Sequence, residues 1–112
     1  MPSPALDPAR LEKLARLGGR ELVVQLIDSF LEQAPARRRT MDAGTIEEIG
    51  QVAHQLVAGA GQLGAGPLCD VARSVDESVR RGDRAALSDQ IPQLIHAHEE
   101  ALAALHGARE TA

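Results

Sequence analysis

His54 is the residue of this chain whose surroundings suggest chemistry. An imidazole has one unprotonated ring nitrogen near neutral pH and can act as a nucleophile. Successive residues of an α-helix are about 100° apart. Positions 47, 50, 51, 54, 58, 61 and 62 therefore share one side of a helical segment. They are Glu47, Gly50, Gln51, His54, Ala58, Gly61 and Gln62. Gly50, Ala58 and Gly61 carry little or no side chain. A glycine inside a helix costs up to about 1 kcal/mol against alanine, and Gly50, Gly59 and Gly61 fall in the same run. Close helix packing or close approach of a partner must offset that cost. On the functional reading, His54 stands exposed among small residues and takes a phosphoryl group on one nitrogen, while a neighbour holds the other. The plainer alternative is an ordinary surface histidine on a helix whose glycines serve packing.

Other candidates are weaker. His96, His98 and Glu99 invite a metal reading, but helical residues two apart point to nearly opposite sides. No metal site is expected there. His106 lies near the end of the sequence. Cys69 is the only cysteine, which leaves no internal disulfide and no cysteine-based zinc site. It reads as a small buried apolar residue. Arg37, Arg38 and Arg39 either steer an acidic partner or form a solvated face favourable to a helix C-terminus. Arg80, Arg81 and Arg84 pose the same choice. No Ser/His/Asp arrangement stands out, and no Gly-rich phosphate loop follows a strand. A phosphoryl group must then come from a protein donor.

The elements that position His54 read as helices. Asp7 caps a short first helix with Pro8 at its first position, ended by Gly18-Gly19. A second runs from Arg20 or Glu21 to Gly44, with Leu22, Val23, Leu26, Ile27, Phe30 and Leu31 at helical spacing. Pro35 predicts a kink in it. Thr45 with Glu48 forms a capping box for the third, which carries His54 and ends near Gly64 to Gly66. Pro67 opens a fourth, closed by Arg80-Arg81-Gly82. Asp83 caps a fifth that reaches about Leu105, with Pro92 implying a kink or restart. From Gly107 onward the tail reads as polar and frayed. Short connections predict an all-α, antiparallel four-helix bundle with a short additional N-terminal helix. The expected ordered core is about residues 7–106 of one domain.

Composition agrees. The chain has 112 residues, 44% hydrophobic, with Phe30 its one aromatic. A Leu- and Ala-rich core favours packed helices over a β-sandwich. The formal net charge of −4 and the missing aromatics argue against nucleic-acid binding. No run has the length of a membrane span, and the first residues lack the pattern of a signal peptide. A cytoplasmic monomer is expected.

The stretch from Ala53-His54-Gln55-Leu56 through Gln62-Leu63-Gly64-Ala65 resembles the signature of histidine-containing phosphotransfer (HPt) domains. The segment Leu22 to Pro35 and the Gly82-Asp83 turn are also similar to that family's. The resemblance implies a phosphorelay carrier rather than a free-standing kinase. His54 would be the phosphoacceptor, and Gln62 the neighbour that orients its imidazole. Gln51, Gln55, Ala58, Gly59 and Gly61 would meet the partner, with Val52, Ala60 and Gln62 also candidates. The implied partners are response-regulator receiver domains or hybrid histidine kinases. No cofactor is implied on this chain, and Mg²⁺ is expected on the partner receiver. Family members usually carry Lys and then Gly where this chain has Val57 and Ala58. Arg37, Arg38, Arg39 or Arg73 would have to supply the missing charge. The alternative is a degenerate module that binds receiver or kinase domains without phosphotransfer.

Overall fold

A computed structural model describes residues 4–111. Its elements are four helices: α1 (Pro8–Ala43), α2 (Ile46–Leu63), α3 (Gly66–Arg81) and α4 (Arg84–Thr111). No strand occurs among the described residues. Each helix packs on two others. α2 and α4 lie against both α1 and α3, so the helices form a closed ring.

Local chemistry sets the ends of these helices. Asp7 accepts a hydrogen bond from the Ala9 amide at 3.0 Å, and Pro8 fills a first-turn position where no amide is needed. Thr45 and Glu48 form the reciprocal capping box at 3.1 and 2.9 Å. The turn after α2 is tight because Gly64 takes φ +77°. A side chain there would be strained and would also meet Arg10 Cβ at 2.8 Å. The same turn holds the start of α1: the Asp7 amide donates to the Gly64 carbonyl at 2.8 Å, and Arg10 Nε donates to the Gln62 carbonyl at 3.0 Å.

One expectation from the sequence is sharpened and two are corrected. The short first helix and the second are joined as Pro8–Ala43 across a kink at Gly19, where the sequence placed the break. Its single departure from helical dihedrals is Gly19, at φ 75° and ψ −179°. Glycine has no Cβ to clash in that conformation, so the chain changes direction there. Helical dihedrals continue through the exposed Pro35, where a kink was expected, and Pro92 likewise sits within α4. Residues 108–111 are helical rather than frayed. Arg109 reaches back to α1 and grips the Asp28 carboxylate with two nitrogens.

The core is aliphatic, with Ile27, Leu56, Leu63, Leu68, Leu94 and Leu105 fully buried. Between α2 and α3 it is unusually tight. A Cβ on Gly50 would lie 2.8 Å from Val79 Cγ1, inside contact distance. Gly50 is thus buried, and its lack of a side chain lets α3 approach α2. Gly61 differs: a Cβ there would meet Cys69 Sγ at an ordinary 3.7 Å.

A polar group also lies in the interior. Arg37 of α1 is buried, with its guanidinium 4.1 Å from the centre of the Phe30 ring. Its Nε donates to His98 Nε2 at 3.1 Å, and its Nη2 donates to the Phe30 carbonyl at 2.7 Å. The bond from Arg37 assigns the His98 proton to Nδ1. His98 is fully buried, and burial together with the Arg37 charge pushes its pKa down to about 4. His96, two residues earlier, is exposed and meets Glu100 at 2.7 Å, so the two imidazoles do point apart.

Two predictions follow from this packing. Gly50→Val should destabilise the fold by about 1–3 kcal/mol through overpacking. Gly61→Ala should be neutral or stabilise it by up to about 1 kcal/mol through helix propensity. Urea unfolding midpoints of the two variants measure the difference. The second concerns His98, whose pKa is about 6.5 in the unfolded chain and about 4 when folded. Between those values the unfolded chain binds the extra proton, so acid favours unfolding. Stability should hold above pH 6.5 and fall as pH drops toward 4, by on the order of 3 kcal/mol. Urea titrations of wild type and His98→Gln across that window should show the steeper fall in wild type, because only wild type carries the His98 contribution besides that of its carboxylates.

Candidate functional site

His54 lies midway along α2 with 67% of its side chain exposed. The capping box at Thr45 and Glu48 secures the start of its helix, and the buried Val52, Ala53 and Leu56 hold that helix on the core. These contacts leave the imidazole on the outer face. Beside it runs α3, brought close by the Gly50–Val79 contact. Val79 lies between Asp76 and Arg80 in sequence, and both of these residues reach His54. Asp76 Oδ2 is 3.4 Å from His54 Nδ1. Arg80 Nη2 is 3.1 Å from the same carboxylate oxygen and 3.5 Å from Nδ1. Asp76 is largely shielded, with 18% of its side chain exposed, whereas Arg80 is open at 67%.

Nδ1 either donates to Asp76 or accepts from Arg80. The carboxylate is the charged acceptor, and Arg80 already has that carboxylate as its closer partner. A proton on Nδ1 satisfies all three groups, and we assign that tautomer on this geometry. Nε2 then carries a free lone pair and faces solvent. An oriented, exposed, unprotonated imidazole nitrogen beside a paired anion and cation is equipped for nucleophilic attack on an electrophilic group brought by a partner.

The cleft around His54 is lined by Glu47, Gly50, Gln51, Gln55, Asp76, Val79 and Arg80. The structure therefore brings Gln51 and Gln55 to His54, both of them exposed. Ala58 and Gly61 are exposed further along α2. Gly59 is half-buried and faces Phe30 of α1, where a Cβ would come within 3.6 Å. Val52 and Ala60, also considered as partner contacts, are buried.

Gln62 does not orient the imidazole in this structure. It lies about two turns along α2, and it lines a separate cleft facing α1. Asp76 and Arg80 hold the position expected of it. Nor do the arginines considered as replacements for a lysine at position 57 reach His54. Arg37 is buried against His98; Arg38 pairs with Asp42 at 3.0 Å and Glu99 at 2.6 Å. Arg73 meets Asp70 at 3.6 Å. Arg80, read from sequence only as part of a basic helix end, is the cation that reaches the site. A usable signal was present: Asp76 and Arg80 are an acid–base pair at i,i+4 on one helical face.

No group of three or more His, Cys, Asp or Glu side chains among the described residues is placed to hold a metal. No helix of the described residues is long and apolar enough to cross a membrane.

Comparisons with known proteins agree with this arrangement. The fold is similar to the crystal structure of histidine-containing phosphotransfer protein B (HptB) from Pseudomonas aeruginosa PAO1, with a TM-score of 0.83. The two are 24% identical, and the match covers 99% of each chain. At that identity the likeness is one of fold. No curated protein matches the sequence. The profile of the Hpt domain matches residues 25–107, which include His54, Asp76 and Arg80. The chain belongs to the Hpt domain family, the phosphotransfer modules of signalling relays.

Proposed function

We propose that this protein is a phosphocarrier in which His54 takes a phosphoryl group from the aspartyl phosphate of one receiver domain and passes it to another. One observation carries this reading: His54 is exposed while Asp76 holds its Nδ1, so Nε2 is presented as the nucleophile. The family supports a carrier over a free-standing kinase.

In the forward step the Nε2 lone pair attacks phosphorus. The bond between phosphorus and the aspartyl oxygen breaks, and its electron pair returns to the receiver's carboxylate. Positive charge develops on the imidazole and is balanced by Asp76 across Nδ1. Arg80 is bound to Asp76 and lies on the Nδ1 side of the ring, 3.5 Å from that nitrogen, where its long side chain is open to meet a charged oxygen of the phosphoryl group. It supplies the charge that Val57 cannot. Phosphoryl transfer depends on alignment and electrostatics more than on new covalent chemistry in the protein. This chain contributes an aligned nucleophile and a surface of small and amide side chains. The partner receiver brings Mg²⁺. The second transfer is the reverse of the first, onto another receiver's aspartate. The presence of a cation, Arg80, beside the ring favours this reading over a purely binding module.

Incubation with radiolabelled phospho-receivers tests this. Wild type should acquire label, and His54→Gln should acquire none. Asp76→Asn should still be labelled, but about tenfold or more slowly, since the amide no longer balances charge on the ring. Equal labelling of wild type and His54→Gln would overturn the assignment.

A further inference from the structure

A second cleft lies between α1 and α2, with a volume of about 140 Å³. Arg37 and Phe30 form part of its wall, and Gln33, Gln55 and Gln62 stand around it. The phosphocarrier chemistry described above does not use it. Its unusual member is Arg37, which is only 8% exposed. Buried cations are normally paired with an anion, because removing an unpaired charge from water costs several kcal/mol. The hydrogen-bond partners of Arg37 are His98, neutral near pH 7, and a backbone carbonyl. No carboxylate among the described residues lies within ion-pair distance of it, although most surface arginines have one. A guanidinium has five N–H donors, and these two bonds use two. The cleft adjoins that cation, and the exposed glutamines around it carry further amide donors.

The ligand chemistry follows from size and charge. The space suits one small planar anion, and a planar fork of N–H donors matches a carboxylate. Gln55 lines both this cleft and the one holding His54. A protein seated over His54 therefore overlaps the opening of the Arg37 cleft. We propose that the α1–α2 cleft is a carboxylate-binding site based on Arg37, filled by an acidic side chain of the protein that docks over His54. The identity of the partner rests on the phosphocarrier reading; the carboxylate site does not.

Acetate is a direct probe. In an NMR titration against chloride at constant ionic strength, acetate should produce saturable shifts in the Arg37 Nε–H and in the Gln55 and Gln62 side-chain amides. Arg37→Gln should lose them. Because that variant disturbs a buried contact, the exposed Gln62→Glu is the second test. Its carboxylate should occupy or repel the site, so acetate no longer saturates. Acetate should also raise the phospho-receiver concentration needed for half-maximal labelling of wild type. Gln62→Glu should raise it by about tenfold, the equivalent of about 1.4 kcal/mol, and make it insensitive to acetate. The absence of saturable acetate shifts overturns the site. Acetate binding that leaves receiver affinity unchanged, in wild type and in Gln62→Glu, overturns its role in docking. If no receiver labels wild type, the phosphocarrier reading and the docking role fail together, and the acetate titration still decides whether the cleft binds a carboxylate.

Discussion

The close approach of α2 and α3 at Gly50 and Val79 is the constraint on which the site depends. Asp76 and Arg80 flank Val79 on the same stretch of α3. If α3 stood further from α2 by the thickness of a side chain, neither would reach Nδ1 of His54. The glycine therefore acts through position. It is buried, makes no polar contact with the imidazole, and sets how near the groups that do can come. Its helix-propensity cost of up to about 1 kcal/mol is the cost of that proximity.

The opposite wall of α2 obeys a different rule. There Gly59 faces the Phe30 ring, and the ring in turn carries the Arg37 guanidinium. Stacking on an aromatic face and donating to a neutral imidazole both tolerate a buried cation without neutralising it. One helix thus has two polar edges: on one, anion and cation are paired beside a nucleophile; on the other, a cation has neutral partners only.

Helix boundaries were legible because they depend on neighbours in sequence. Asp7-Pro8, the Thr45/Glu48 box, Gly64 and Gly82 each fall at an observed helix end. His54 was legible as an exposed residue because its helix has a clear apolar stripe on the other side. What escaped the sequence depends on contacts between helices. Gly50 looked like part of an open face, but α3 covers it. Gln62 shares a helical side with His54 on paper, yet two turns of separation carry it to the α1 cleft. Arg37 sits in a run of three arginines that reads as solvated, and only the positions of Phe30 and His98 show that it is interior. Asp76 and Arg80 come from another helix, and no local pattern gives the register of α3 against α2. The helical tail after Gly107 depends on Asp28, 81 residues away.

The pairing of charges in this protein also bears on how it meets other molecules. Arg16, Arg38, Arg73, Arg80, Arg81 and Arg109 each lie beside an acidic side chain of the same chain. Opposite charges a few ångströms apart form dipoles, whose fields decay faster with distance than those of isolated charges. Screening at physiological salt weakens them further beyond about 8 Å. The Asp76–Arg80 pair beside His54 therefore adds little attraction at long range and acts on a partner chiefly once that partner is seated. Selectivity among competing receivers would then reside in how long a correctly seated complex lasts, rather than in how quickly partners find one another.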